Sequence, residues 1–183
     1  MQNTTYQNLI IGFGKAGKTL AGLLAKRGES VALVERSKER YGGTCINVAC
    51  IPSKSLEYSA RLSAAAGGNF AARAARYRAA IAEKRRLTAM LRQKNYEKVT
   101  AAGAEVIDGE ASFLDAHTVR IVTETGERIV RAGRIFINTG ATPFVPPILG
   151  LKESAHVYTS EGMMELDKLP EKLVVIGGGY IGL

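Results

Sequence analysis

Cysteine and histidine are scarce in this sequence, whose 183 residues include only two of each. Two sulfurs with no histidine or further cysteine nearby fall short of the four ligands that a structural zinc ion takes. We therefore expect no metal site. The two cysteines are then either ordinary buried residues or a reactive pair, and composition alone leaves both alternatives open.

Long apolar runs are also missing. No run approaches the roughly 18 to 20 apolar residues that a membrane helix needs, and the polar N-terminal segment 1–7 has no signal-peptide core. We expect a soluble, cytoplasmic protein with no membrane partner. In that compartment a cysteine pair is more often catalytic than structural.

Acidic residues are outnumbered, 17 against 25 basic ones, which gives a formal net charge of +8. A solvated helix face is the first explanation of this excess. Two others stay open: attraction of a small anionic oxidant or cofactor, and nucleic-acid binding, for which no recognition motif or aromatic platform is present. We expect no nucleic-acid partner. The cations concentrate in one predicted helix, as Arg73, Arg76, Arg78, Lys84, Arg85, Arg86, Arg92, Lys94 and Lys98.

Glycines mark the beginning of the chain. A short apolar strand ends in Gly12-Phe13-Gly14-Lys15-Ala16-Gly17, a predicted helix covers 18–27, and a second strand, 30–35, ends in Glu35. This order of strand, glycine turn, helix, strand and acid predicts a dinucleotide site, in which the helix N-terminus faces the phosphates. Glu35 would accept hydrogen bonds from ribose hydroxyls and disfavour a 2′-phosphate.

The two cysteines, Cys45 and Cys50, follow this predicted site and are five residues apart. On a regular helix that spacing separates the Cα atoms by roughly 8 to 9 Å, whereas a disulfide needs less than about 7 Å. If the thiols pair, the segment must be a distorted or tightened turn. Pro52 supplies a local reason for such distortion.

Downstream, apolar spacing predicts a helix to about Ala66, a break at Gly67-Gly68 and a longer helix over 70–99. Short alternating segments then fit a small antiparallel meander, and Arg134 to Asn138 is typical of a strand returning to a parallel sheet. The predicted fold class is α/β, Rossmann-like. The segments assigned to the meander are Glu105 to Ile107, Ala111 to Leu114, Thr118 to Thr123 and Arg128 to Arg131.

A second glycine turn lies at the end of the sequence. Lys172 to Ile176 is a predicted strand, and Gly177, Gly179 and Gly182 repeat the fingerprint. A glycine turn with no helix behind it lacks the amide donors that bind a pyrophosphate. We therefore predict a first domain over 1–150, followed by a linker and the truncated start of a second nucleotide-binding domain over 151–183.

The chain resembles the class I flavoprotein disulfide reductases. The resemblance rests on features that follow one another in the family's order: the first glycine turn, Glu35, the segment from Cys45 to Lys54, Asn138-Thr139-Gly140-Ala141 and the second glycine turn. The family includes dihydrolipoamide dehydrogenase, glutathione reductase and mercuric reductase. The segments 11–19, 41–47 and 135–140 are most similar to the bacterial reactive-chlorine resistance oxidoreductases, for which the resemblance implies hypothiocyanous acid reduction.

The resemblance implies FAD as cofactor, NAD(P)H as reductant, a small-molecule oxidant or disulfide as substrate, and a homodimer. Cys45 would be the thiol that attacks substrate, Cys50 the thiol that contacts the flavin, and Lys54 a neighbour of the flavin that stabilises the reduced ring. The other residues implied to hold nucleotide are Gly12, Gly14, Gly17, Glu35, Gly43, Thr44, Ala111, Thr139, Gly140, Gly177, Gly179 and Gly182.

Family members are much longer than this chain, so we expect an N-terminal fragment that is inactive alone. The C-terminal histidine that acts as general base in the family would be missing. A non-catalytic flavin-binding module, or a mercuric reductase or dihydrolipoamide dehydrogenase in full-length form, stays an alternative, and the choice between NADH and NADPH stays open. At Ala49, where the family usually has glycine, we expect ordinary helical torsion.

Overall fold

The computed structural model describes residues 2–182. The chain divides into a sheet unit, residues 1–47 with 88–140, and a helical unit, residues 48–87 with 141–183. The predicted boundary at residue 150 stays a prediction. The elements are β1 (Gln2–Ile11), α1 (Lys15–Lys26), β2 (Val31–Glu35), a 3-10 turn (Lys38–Arg40), α2 (Gly43–Asn47), α3 (Cys50–Ala66), α4 (Phe70–Ala101), β3 (Glu105–Asp108), β4 (Glu110–Phe113), β5 (Thr118–Thr123), β6 (Gly126–Ile137) and α5 (Ser160–Met163).

One six-stranded sheet forms the sheet unit, in the order β3-β2-β1-β6-β5-β4. β1 pairs in parallel with β2 and β6, and β2 pairs in parallel with β3. The antiparallel part consists of β4, β5 and β6. This mixed sheet, with α1 following the first strand, confirms the predicted α/β class.

Two predictions about the strands are wrong. Glu105 to Ile107 does not join the meander, because Ala32 to Glu35 offers β3 an open parallel edge in the main sheet. Arg128 to Arg131 pairs antiparallel with β5 and Arg134 to Ile137 pairs in parallel with β1, as predicted, but the two segments belong to one strand, β6, and not to two. β6 is continuous because β1 pairs with it along almost its whole length, while β5 pairs only with its first half.

The core lies on both faces of this sheet. Every residue of β2 from Val31 to Glu35 is buried, as expected for a parallel strand covered on both sides. Neighbouring residues of β1 enter different clusters: Leu9 packs with Val34 and Ile121, whereas Ile10 packs with Phe13 and Leu24. Because side chains along β1 point alternately to the two faces of the sheet, one cluster includes residues of the meander and the other includes residues of α1.

In the helical unit the predicted break between the two helices is confirmed, with Gly67 at φ +61°. Arg76 closes the turn, since its Nε donates to Ser63 Oγ at 2.9 Å and its Nη2 contacts the Gly67 carbonyl.

The predicted strand from Lys172 to Ile176 is wrong. Among residues 2–182 no other strand forms backbone hydrogen bonds with this segment. A β-strand needs such a partner for its backbone amides and carbonyls. Within the same residues, no helix is long and apolar enough to cross a membrane.

Several cations of α4 are held by polar partners within their own unit. Arg85 binds Glu165 and Asp167, and Arg86 binds Glu83. These ion pairs favour the interpretation of the basic residues as a solvated helix face, because a paired charge contributes less to the electrostatic potential that a distant anion meets. Attraction of an anionic oxidant and the absence of a nucleic-acid partner stay predictions.

Lys84 anchors the segment after α5. Its side chain is buried, and its ammonium donates to the Met164 carbonyl at 2.9 Å and contacts Glu165 Oε1. Burial alone would raise the pKa of Glu165, but hydrogen bonds and charge from Lys84 and Arg85 lower it on balance. The carboxylate therefore stabilises this unit above its unfolded-state pKa, and that stabilisation is lost as pH falls through the lowered folded-state pKa.

Lowering the pH should therefore reduce the stability of the native chain by more than it reduces the stability of a Glu165→Gln variant. Thermal unfolding followed by circular dichroism at about pH 7 and about pH 3 would measure the two losses. Glu171→Gln, at an exposed position of the same unit, is the control and should keep the native acid sensitivity. Equal acid sensitivity in native chain and Glu165→Gln would contradict the assignment.

Candidate functional site

The first glycine turn is built by close backbone contacts at the carboxyl end of β1. The Gly12 amide donates to the Val34 carbonyl at 2.8 Å, and Gly12 has a φ of +105°. A Cβ at this position would lie 2.2 Å from the Asn138 carbonyl oxygen and 3.2 Å from Thr139 Cα. Glycine is therefore required, and the fold brings the predicted residue Thr139 against the turn.

The next two glycines open the N-terminus of α1. Gly14 is the N-cap, with no capping side chain and no acid in the first turn of the helix. A Cβ on Gly17 would lie 2.5 Å from the Gly12 carbonyl oxygen. Because side chains cap none of its first amides, the helix presents donors and the positive end of its dipole, the arrangement that binds phosphate.

Glu35 lies beside this turn, as the sequence predicts. Its Oε2 accepts the Phe13 amide at 2.9 Å, and its Oε1 accepts the Ser37 amide at 3.2 Å. The residue is only 9% exposed. The carboxylate is thus held at the end of β2 by two backbone donors and retains acceptor capacity for ribose hydroxyls.

Three aromatic rings in contact fix the segment that leads to the cysteines: the Phe13 ring is tilted by 34° against Tyr41, and Tyr41 stacks on Tyr96. The ring centroids of Phe13 and Tyr41 are 4.7 Å apart, and those of Tyr41 and Tyr96 are 5.3 Å apart. Tyr41 also donates its hydroxyl to Asp108. Burial, and then the hydrogen bond that the hydroxyl donates to the Asp108 carboxylate, raise the pKa of Tyr41. It therefore stays a neutral donor across the ordinary pH range.

The start of α2 rests directly on the first glycine turn. Gly42 and Gly43 have positive φ values of +90° and +66°. A Cβ on Gly43 would lie 2.5 Å from Gly14 Cα, so no larger residue fits without displacing backbone. The contact brings the predicted residues Gly43 and Thr44 next to the first glycine turn.

The short helix α2 is closed by Asn47, which the sequence reasoning missed. Its Nδ2 donates to the carbonyls of Tyr41 at 3.1 Å and Gly43 at 2.9 Å, and its Oδ1 accepts Arg92 Nε at 2.7 Å. Arg92 also contacts Glu39. Cys45, half-buried, therefore lies in a turn that is held from both ends. No sequence signal links Asn47 with Arg92, 45 residues later.

The second cysteine begins a new helix. Cys50 is the exposed first residue of α3, and Lys54, also exposed, follows it one turn later, so both occupy the same helix face. Ala49 has φ −129° and ψ −93°, so the prediction of ordinary helical torsion there is wrong. The helical path is interrupted rather than tightened. Pro52 lies in the first turn of α3, where its missing amide costs nothing.

The remaining predicted residues occupy separate places. Ala111 pairs with Ile121 in the meander and packs half-buried against the core. Gly140 follows Thr139 with φ +77°. In the second glycine turn Gly177 has φ +106°, Gly179 accepts the Gly182 amide, and a Cβ on Gly182 would lie 2.4 Å from the Gly177 oxygen. These glycines form a turn with no helix behind it among residues 2–182.

A family model described as pyridine nucleotide-disulphide oxidoreductase matches residues 6–183. The probable pyridine nucleotide-disulfide oxidoreductase RclA of Escherichia coli strain K12 is 44% identical over 97% of this chain and 38% of its own length. Mercuric reductase of Streptomyces lividans is 38% identical over 99% of this chain and 40% of its own length. Dihydrolipoyl dehydrogenase 3 of Haloarcula marismortui is 32% identical over 98% of this chain and 39% of its own length.

A solved structure gives the same result. The HOCl-induced flavoprotein disulfide reductase RclA from Escherichia coli superposes with a TM-score of 0.85 at 43% identity, over 97% of this chain and 38% of that chain. The structure of its Cu(II) complex superposes with a TM-score of 0.87 at 44% identity, over 98% of this chain and 38% of that chain. The chain thus spans about two fifths of the length of the relatives it matches.

Proposed function

Since this chain belongs to the pyridine nucleotide-disulphide oxidoreductase family, we propose that it is the FAD-binding, cysteine-bearing part of an NAD(P)H-dependent flavoprotein disulfide reductase. The observation that carries the proposal is the glycine cradle, in which Gly12, Gly14, Gly17 and Gly43 leave no room for a Cβ. Such close backbone approach, beside an uncapped helix N-terminus, suits a pyrophosphate.

In this proposal, different residues of the sheet unit bind different parts of FAD. Amides after Gly14 would hold the pyrophosphate, and Glu35 the adenosine ribose. Gly43 and Thr44 would lie along the flavin, Thr139 and Gly140 near it, and Ala111 near the adenine. When bound, FAD would supply two-electron transfer from NAD(P)H to the cysteine pair.

Cys45 and Cys50 are proposed to cycle between a disulfide and two thiols, with uptake of two electrons and two protons. Cys50 and Lys54 would face the flavin from α3, and the exposure of both side chains supports that role. The Cys45 thiolate would attack the electrophilic sulfur of the oxidant and expel its leaving group. Attack of the Cys50 thiolate on the Cys45 sulfur would then release the reduced product and re-form the disulfide.

The substrate we favour is a hypothiocyanite-type oxidant. In that case Cys45 would first carry the thiocyanate group with release of hydroxide, and thiocyanate would leave in the second step. Similarity to RclA at 44% identity supports this choice. Similarity to mercuric reductase and dihydrolipoyl dehydrogenase makes those two activities the alternatives for a longer chain.

A second candidate function is a flavin-binding module without turnover. It is the alternative because the chain spans only about two fifths of the length of the relatives whose names state an activity. NADPH-dependent turnover by the 183-residue chain would contradict this candidate. Homodimer formation and a cytoplasmic location remain proposals.

Flavin titration tests the proposal directly. The native chain should bind FAD, measured by quenching of flavin fluorescence, and Glu35→Gln should bind it roughly threefold to tenfold more weakly, because one charged acceptor of the ribose hydroxyls is lost. The amide oxygen can still accept from Phe13, so the turn is kept. Glu124→Gln, an exposed carboxylate in the β5–β6 hairpin, is the matched control. Absence of FAD binding by the native chain would contradict the proposal.

A further inference from the structure

Lys18, which the sequence reasoning did not single out, lies in the first part of α1, one turn after the N-cap. Its amide donates to the Gly14 carbonyl at 3.0 Å. Gly14 is the residue on which Gly43 rests, at the start of α2. The first turn of α1 therefore lies against the first turn of α2, the helix that carries Cys45.

The Lys18 side chain is held in place from α4. Its ammonium donates to Asn95 Oδ1, and Asn95 Nδ2 in turn donates to the Leu91 carbonyl at 2.6 Å. Asn95 also lies close to Gly42, since a Cβ built on Gly42 would be 3.4 Å from Asn95 Nδ2. The lysine is half-buried, so its charge is less screened than that of an exposed side chain.

The partner of this ammonium is a neutral amide. Among residues 2–182, Lys18 contacts no carboxylate that would neutralise it. Burial is the main cause that lowers the pKa of Lys18, and Lys15 lowers it further, whereas Cys45 raises it. Lys15 on α1 and Lys98 on α4 act electrostatically on Lys18. The elements packed against α2 contribute Arg92 from α4, its partner Glu39, and Lys38 and Arg40 from the 3-10 turn.

From this geometry we propose that Lys18 is a positioning residue that stabilises the Cys45 thiolate and so sets the reactivity of the attacking thiol. The inference rests on the proposed function only for the role of Cys45 toward substrate. A cation beside a thiol favours the thiolate, which is the nucleophile in thiol exchange.

The test measures Cys45 alone. In a Cys50→Ser background Cys45 is the only thiol, and its alkylation by iodoacetamide is followed as a function of pH. Lys18→Met should slow alkylation about threefold to tenfold near neutral pH and move the midpoint of the profile to higher pH. Lys18→Arg should restore the midpoint, because it keeps the charge.

Lys26→Met is the matched control, since Lys26 is an exposed residue in the last turn of the same helix. It should leave the profile unchanged, and circular dichroism verifies that each variant is folded. An unchanged midpoint in folded Lys18→Met would overturn the proposal, even if that variant bound FAD more weakly. Because alkylation needs neither flavin nor turnover, this failure is distinguishable from failure of the proposed function.

Discussion

A Cys50→Ser variant of the FAD-loaded chain should lose completely the long-wavelength absorbance that the native chain develops on anaerobic two-electron reduction. The expected band arises from a thiolate in contact with oxidised flavin, and Cys50 is the thiol proposed to face the ring. Its position as the exposed first residue of α3 is consistent with that role. The measurement is an absorbance titration with dithionite after loading with FAD.

Cys45→Ser is the matched control, because it removes one thiol of the same pair and leaves Cys50 in place. It should show the band even before reduction, since Cys50 can no longer enter a disulfide with Cys45. A band that survives Cys50→Ser but disappears in Cys45→Ser would reverse the two roles. A chain that binds FAD and forms no band in any variant would contradict the proposed dithiol chemistry.

The first glycine turn and the elements around it were predictable because their signals are local. Gly12, Gly14 and Gly17 precede a helix, and Glu35 ends the next strand, so the order of residues along the chain gives their order in space. The long helix after Gly67-Gly68 was predictable for the same reason. Its apolar spacing and the glycine break need no distant partner.

What the sequence did not reveal depends on distant partners. The turn that carries Cys45 is held by Arg92 through Asn47 and fixed by the stacking of Tyr41 on Tyr96. β3 was assigned wrongly, and the continuity of β6 was missed, because pairing with distant strands and not local preference decides where a short strand belongs and how far it extends. At Ala49 the expected helical torsion was wrong because α2 ends at Asn47 and a separate helix begins after Ala49.

Gly12→Ala should be the most destabilising single substitution that we propose. A Cβ would lie 2.2 Å from the Asn138 carbonyl oxygen, and the residue has a φ of +105°. Steric overlap with backbone and left-handed strain together should cost about 3 to 5 kcal/mol. Chemical unfolding followed by circular dichroism measures the loss, and FAD binding should disappear with it because β1, Asn138 and α1 meet at this turn.

Gly28→Ala separates the two contributions. Gly28 also has a positive φ, +82°, but nothing lies within 4 Å of the position that a Cβ would take. Only the backbone strain remains, so the expected cost is about 1 kcal/mol, and FAD binding should be unchanged. If Gly12→Ala cost no more than Gly28→Ala, the close approach of Gly12 to Asn138 would not exist in solution. The cradle that carries the proposed function would then have no physical basis.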